Sequence, residues 1–511
     1  MRSSPAELSP NDFRAAGHAL VDRVADFLST LRDLPTAPDT TPAAVRAKIR
    51  ADEGVPRHGA PALEVMERAA ELVLEGSTLN GHPRFFGYIT SSAAPIGALA
   101  DLLAATVNPN CGAWSLSPVA TEIEKQSLRW IAELIGFPTD CGGILVSGGN
   151  VANITCFIAA TRAKSRRDLR ALGVDKSDRL VVYASAEVHT WIQKAVDICG
   201  LGLDALRSIP VNEAREMRTD ALRAQIEQDR REGLHPAVII GTAGSVGTGA
   251  IDPLNELAAI AREFDLWFHV DGAYGAPAAV LEDAPTELRA IELADSVAVD
   301  PHKWFYAPLE AGCALVRRPS ELHDAFVFHP PYYRFEGAAE DPPTNFHEWG
   351  PQNSRGFRAL KVWTTIQQVG RDGYRQMIAD DIALSHDMHR LAAAEPELET
   401  FTQSLSISTF RYIPADLERT AEGASQYLND LNTALLSRIQ AEGTAYLSNA
   451  VLDGAFALRA CIVNFRTTSA DVRTTIDTIL RLGRAVDSEL RPDSLRGPIV
   501  SGTSGVPSAA P

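Results

Sequence analysis

Cysteine is scarce and dispersed in this chain: six residues in 511, at positions 111, 141, 156, 199, 313 and 461, with no CxxC pair. That spacing excludes a disulfide framework and a zinc site, and leaves the thiols as small apolar core residues. Long apolar runs are missing too. No stretch reaches the roughly 18 residues a membrane helix needs, and the opening MRSSPAELSPNDF has no apolar core of the secretory type. Positive charge is in the minority, with 48 Lys and Arg against 65 Asp and Glu and a net charge of −17. Phosphate backbones are bound by basic surfaces, so this balance argues against a nucleic-acid partner. The glycine turns carry neither GxGxxG nor GxxxxGK, which speaks against dinucleotide and Walker-type nucleotide sites. No internal repeat is present. With 45% hydrophobic and 22% charged residues, the composition is that of a soluble globular protein of two or three domains, expected in the cytoplasm.

The rest of the chain is organised around Leu266 to Pro308. LWFHVD and SVAVDPHKWF each begin as a short apolar run and break into polar and small residues, as buried parallel strands do at their ends. PTELRAIELAD between them has helical spacing, so the order strand, helix, strand is expected. A crossover of this kind sets both carboxyl ends on one edge of a sheet, where open α/β sheets bind ligands. Asp271 closes the first strand, and His302 and Lys303 follow the second. A carboxylate, an imidazole and an amine then converge on one crevice, with Trp304 and Phe305 expected to wall the lysine. These groups suit pyridoxal phosphate: an amine can hold the cofactor's aldehyde as a Schiff base, and a carboxylate can keep the ring nitrogen protonated.

Other segments carry supporting chemistry. GGILVSGGNVANIT from Gly142 is a strand, a glycine turn and a helix, and free N–H groups beside Gly148 and Gly149 make a phosphate site. His189 stands near a strand-to-helix junction. AVIIGTAGSVGTGAIDPL is a strand and a glycine-rich loop, with Asp252 expected as N-cap and Pro253 at the first helical position. Near the start, FRAAGHALVDRVADFL places Phe13, Leu20, Val21, Val24 and Leu28 on one helical face, with Asn11 as the expected N-cap.

HVDGAYGAPA followed by DPHKWFY resembles the signature of the group II pyridoxal-phosphate decarboxylases, the family of aromatic L-amino acid decarboxylase. The likeness runs from roughly Asn11 to Thr468. It implies an α/β protein of fold-type I, with a mostly parallel central sheet flanked by helices. Residues 1–81 would form an N-terminal helical arm, 82–375 the large cofactor-binding domain, 376–492 a small C-terminal α+β domain and 493–511 a disordered tail. The arm would lie across a second subunit of a homodimer, or pack within its own.

The resemblance also implies roles. Ser147, Gly148 and Gly149 would hold the cofactor phosphate, His189 would stack on the pyridine and Ala273 would pack on its other face. Thr242 would sit beside cofactor and substrate carboxylate, Lys303 would carry the aldehyde with His302 beside it, and Asp271 would face the ring nitrogen. Tyr88, Ile89 and Trp114 would line the substrate pocket. A long loop after residue 326 would close over the site and supply an acid, Tyr332 or its neighbour Tyr333. The implied activity is decarboxylation of an L-amino acid, aromatic by preference, to amine and CO₂. Aldehyde synthesis, and decarboxylation of glutamate or diaminobutyrate, are the alternatives; Tyr rather than Phe in the loop favours the decarboxylase. No metal is implied. Asp300 departs from the Asn common before PHK in animal aromatic decarboxylases, and the role of Arg355 is open.

Overall fold

The computed structural model describes residues 4–175, 178–328 and 343–495. Among them the large sheet has seven strands: β1 (Gly142–Val146), β2 (Leu180–Ser185), β3 (Leu206–Ile209), β4 (His235–Thr242), β5 (Trp267–Asp271), β6 (Ser296–Val299) and β7 (Gly312–Val316). Their spatial order is β1-β7-β6-β5-β4-β2-β3. The five strands from β6 to β3 run parallel, while β7 lies antiparallel to both β6 and β1. Every residue of β1, β2, β5, β6 and β7 is buried. Their apolar runs therefore show no alternation, as expected of strands covered on both faces.

Register places the chemistry. Thr242 pairs with Asp271, and Asp271 with Ala298, so β4, β5 and β6 end together on one edge. The connection from β5 to β6 differs from the expected helix. A buried 3₁₀ turn, Ala276–Val280, takes up part of the length, and PTELRAIELAD forms only one α turn, Thr286–Arg289, continued as 3₁₀ over Ala290–Leu293. Leu288, Ala290 and Ile291 are buried all the same, so the helical spacing marked burial rather than helix length.

Two expected caps are corrected. The first helix, Pro10–Thr30, is capped by Ser9, whose hydroxyl accepts from Asp12 N, not by Asn11. Pro10 decides this: proline lacks the N–H that an internal position needs, and fits at the first helical residue. The helix after β4, Leu254–Glu263, has no side-chain cap. The Asp252 carboxylate instead turns back to accept from Thr242 N and Met217 N, each at 2.8 Å, bracing the end of β4.

The second sheet is antiparallel, with order β10-β11-β9-β8: β8 (Leu398–Ser404), β9 (Ile407–Tyr412), β10 (Ser448–Leu452) and β11 (Ala455–Cys461). Helices Ala424–Glu442 and Ser469–Leu490 pack on it through Leu428, Leu431, Leu435, Val472 and Ile476. Helix Ser469–Leu490 opens with a capping box between Thr468 and Asp471. Arg32, at the end of the N-terminal helical segment, reaches that same aspartate at 2.6 Å. A long helix, Ala359–Ala394, runs from the large sheet to the small one and breaks at Gly370, where φ is 67°.

One buried group on that helix ties the two sheets together. Asp381 accepts from Trp304 Nε1 at 2.8 Å, from Tyr306 Oη, and from Asn464 N at 3.4 Å. Burial pushes its carboxyl up to about 7. A folded-state pKa raised above the unfolded one gives stability that is full below pH ~4 and lost as pH rises through ~7, on the order of 4 kcal/mol for a ~3-unit shift. Asp381→Asn keeps an acceptor for Trp304 and Tyr306 but does not ionise. Thermal midpoints measured from pH 4 to 8 should therefore shift in the variant's favour as pH rises; parallel curves would show that this carboxyl does not titrate in that window.

Candidate active site

The common edge of β4, β5 and β6 opens onto a cavity of about 390 Å³. Asp271, closing β5, is buried with both oxygens engaged: Oδ2 accepts from Trp191 Nε1 at 2.7 Å and Oδ1 from Ala273 N at 3.2 Å. Thr242, closing β4, is held through its N–H by Asp252, while its Oγ1 is buried without a hydrogen-bond partner. Ala273 and Tyr274 continue the same wall.

The segment after β6 supplies the amine. Lys303 N donates to Asp300 O and Tyr306 N to Lys303 O, so the backbone turns tightly around the lysine. Ser91 Oγ donates to His302 O at 2.9 Å. Lys303 Nζ lies 3.0 Å from Asp300 Oδ2. His302 accepts from Ala311 N through Nδ1, which leaves the proton of the neutral ring on Nε2. Burial lowers its pKa. Trp304 and Phe305 do not wall the cavity. Both are fully buried: Trp304 stacks on Tyr274 at 4.9 Å and donates to Asp381, and Phe305 packs edge-on against Tyr374. They anchor the lysine segment from behind.

Against this segment, Ser147 and Gly148 lead into helix Gly149–Lys164. The first N–H groups of a helix have no partner within it, so this turn presents donors and a positive dipole end. Space there is tight. A Cβ on Gly149 would fall 2.5 Å from Asp300 Oδ2, and one on Gly312 would fall 2.5 Å from the Gly148 carbonyl carbon. One turn into the helix, Asn153 Nδ2 donates to Gly149 O and its Oδ1 accepts from His269 Nε2. His189 lines the cavity between this turn and Asp271. Its Nδ1 accepts from Trp191 N at 3.2 Å, and burial lowers its pKa, with the Asp271 charge opposing that shift.

Ile89, Ser147, Gly148, Gly149, His189, Thr242, Asp271, Ala273, His302 and Lys303 thus share one cavity. Tyr88 does not reach it; it is 61% exposed with φ 53°. Trp114 lines a separate hollow of about 770 Å³ beside Phe346 and Trp349, its Nε1 donating to Glu122 at 3.1 Å. That larger hollow contains neither Lys303 nor Asp271. Tyr332 and Tyr333 lie outside the described residues. Arg355 is buried away from the cavity, donating to Cys111 O, Leu145 O and Glu124 and stacking on Phe346.

Sequence reasoning missed Trp191, Asn153 and the positioning role of Asp252. Asn153 follows Gly149 by one helical turn, a spacing that could have marked it, and Trp191 follows His189 by two residues, where nothing local marked it as Asp271's donor. The donor set fits pyridoxal phosphate. A glycine turn with free helix N–H groups, an amine, a doubly hydrogen-bonded carboxylate and the unpartnered Thr242 Oγ1 share the cavity; the unpartnered Asp300 Oδ1 adds an acceptor and no donor.

A family model described as the pyridoxal-dependent decarboxylase conserved domain matches residues 42–413. An aromatic-L-amino-acid decarboxylase of Bacillus atrophaeus is 32% identical over 485 residues, covering 95% of this chain and 98% of that protein. A phenylacetaldehyde synthase of Petunia hybrida is 29% identical, with 89% and 91% covered. Among solved structures, Oryza sativa TDC with PLP and tryptamine matches at TM-score 0.87 and 26% identity, covering 95% of this chain and 99% of that one.

Removing the donor from Asp271 isolates its support. Trp191→Phe leaves a buried carboxylate oxygen without its indole partner, which should cost about 1–3 kcal/mol in urea unfolding. Cofactor affinity, read by fluorescence titration, should fall with it. Unchanged stability and affinity would remove Trp191 from the site.

Proposed function

This chain belongs to the pyridoxal-dependent decarboxylases, and from that premise we propose that it converts an aromatic L-amino acid to its amine and CO₂. Pyridoxal 5′-phosphate is its cofactor; bound, it supplies an aldehyde that links amines and a ring that accepts the electron pair left by departing CO₂. The observation that carries the reading is Lys303 and Asp271 on one cavity, each held from behind by buried partners.

In this reading Lys303 would hold the cofactor through its amine. Asp271, fixed by Trp191 and Ala273 N, holds a proton at the ring nitrogen. N–H groups at Ser147, Gly148 and Gly149 would hold the phosphate, and Thr242 would stand beside the cofactor and the substrate carboxylate, with His302 next to the lysine. His189 covers one ring face and Ala273 leaves room on the other. The proton for Cα would come from Tyr332 or its neighbour Tyr333, with His189 as the second candidate acid. Of the three residues expected at the substrate end, Ile89 lines this cavity.

Two features favour a neutral side chain on the substrate. Ile89, Val246 and Tyr274 give the cavity apolar surface, and among the described residues no arginine lines it. A glutamate side chain would lack a guanidinium partner there. The protein is proposed to act as a homodimer in the cytoplasm. Leu99, Leu102, Leu103 and Val107 are each more than half exposed on one face of helix Pro95–Val107, and Phe13 and Val73 are likewise exposed on the N-terminal helices. Apolar stripes of this kind mark interfaces. All six cysteines are free, as suits a reducing compartment. No helix among the described residues is long and apolar enough to cross a membrane.

A panel of L-Phe, L-Tyr, L-Trp, L-Glu and L-2,4-diaminobutyrate, scored for CO₂, amine, ammonia and peroxide, tests the activity. Equimolar CO₂ and amine from an aromatic substrate is expected; ammonia with peroxide would instead assign the aldehyde-synthase outcome. Lys303→Ala should retain the cofactor non-covalently and lose at least ~10³-fold in turnover. Normal turnover would overturn the lysine's assignment.

A further inference from the structure

Asp300 places a carboxyl at an anion site. It is 1% exposed and lies against Gly149, the first residue of the sixteen-residue helix Gly149–Lys164. Its Oδ2 is 3.0 Å from Lys303 Nζ and 3.8 Å from His302 Nε2, while Oδ1 is buried without a hydrogen-bond partner. In this arrangement the carboxylate is offset by one ammonium and by the positive helix end. A phosphate drawn to the same helix end would meet it directly. Two adjoining anions cannot both stay fully ionised in a buried site; one proton between them removes the conflict.

We propose that Asp300 makes cofactor binding proton-linked, with the carboxyl and the cofactor phosphate sharing one proton taken up from solvent. The inference rests on the pyridoxal-phosphate reading of this cavity. The balance is simple: one carboxylate, one phosphate dianion and one solvent proton give a single O–H···O contact, with no covalent bond made or broken. Of the ionisable groups around Asp300, the two histidines and the thiol do not supply that proton. Lys303 and His302 share its loop, His189 faces it from the opposite wall, and Cys313 stands on β7. Burial lowers the pKa of both histidines and raises that of the thiol, so the first two are neutral and the third stays protonated. An asparagine at 300 would donate to the phosphate through its amide and need no proton.

The test uses pyridoxine 5′-phosphate, which keeps ring and phosphate but has an alcohol in place of the aldehyde, so Lys303 chemistry does not enter. Its affinity for the cofactor-free full chain is measured by calorimetry between pH 6.5 and 8.5, in two buffers of different ionisation enthalpy, for wild type and Asp300→Asn. Wild type should take up about one proton more than the variant. The ratio of dissociation constants, wild type over variant, should then grow by up to about tenfold per pH unit. Equal proton counts and parallel pH profiles would overturn the proposal. If Asp300→Asn does not fold, wild type is compared with pyridoxine, which lacks the phosphate: about one extra proton for the phosphorylated ligand supports the linkage, and none overturns it. Failure of pyridoxine 5′-phosphate to bind wild type at any pH, with the protein folded, would overturn the cofactor reading itself.

Discussion

A buried carboxylate is tolerable only when donors occupy its lone pairs, because desolvation otherwise drives it to neutrality. Three buried aspartates that fix the lysine's surroundings have donors on their oxygens, although burial still pushes Asp381 up to about 7. Asp252 takes two backbone N–H groups and sets the end of β4. Asp271 takes an indole and a backbone N–H and stays at the tip of β5. Asp381 takes an indole, a phenol and a backbone N–H, and anchors the segment behind Lys303. In each case the donors come from elements far apart in sequence, so each aspartate also acts as a tether. Asp300 is the exception, with one oxygen on Lys303 and the other unpartnered.

These tethers join the two sheets. Trp304 and Tyr306 belong to the lysine segment, Asp381 to the long helix, and Asn464 to the chain just after β11. Tyr274, which lines the cavity, also bonds Ser406 at the start of β9. Movement of the small sheet relative to the large one would be felt by the wall of the cavity. The N-terminal segment joins the network through Arg32 and Arg84, which share Asp471.

The strands were legible because buried parallel strands appear as uninterrupted apolar runs, and the ligand edge followed from the crossover rule. What did not come through depended on direction in space. Trp304 and Phe305 stand beside the lysine in the chain, yet the tight turn at Lys303 sends them into the core. Trp191 became Asp271's donor through a contact spanning 80 positions, which no local pattern encodes. Ser9 and Asn11 are both good caps on composition; the proline between them excluded the second. Asp252 had the residue type and spacing of a cap, but two unpaired backbone donors nearer the sheet claimed its carboxylate. Tyr88, surrounded by aromatics in sequence, faces solvent in a single chain, and no local feature distinguished it from buried Phe86.

The antiparallel strand β7 has a consequence of its own. Because it leaves from the edge at which β6 arrives, the segment carrying Lys303 is an arch with both feet on neighbouring strands, rather than part of a crossover around the molecule. Its far limb, residues 307–311, is tied back to the near one, Ala307 N donating to Pro301 O and Ala311 N to His302 Nδ1, and Lys361 Nζ donates to Leu309 O. A change in the length of that limb would therefore be transmitted to His302, the residue next to Lys303, even though the sheet's connectivity stayed as it is.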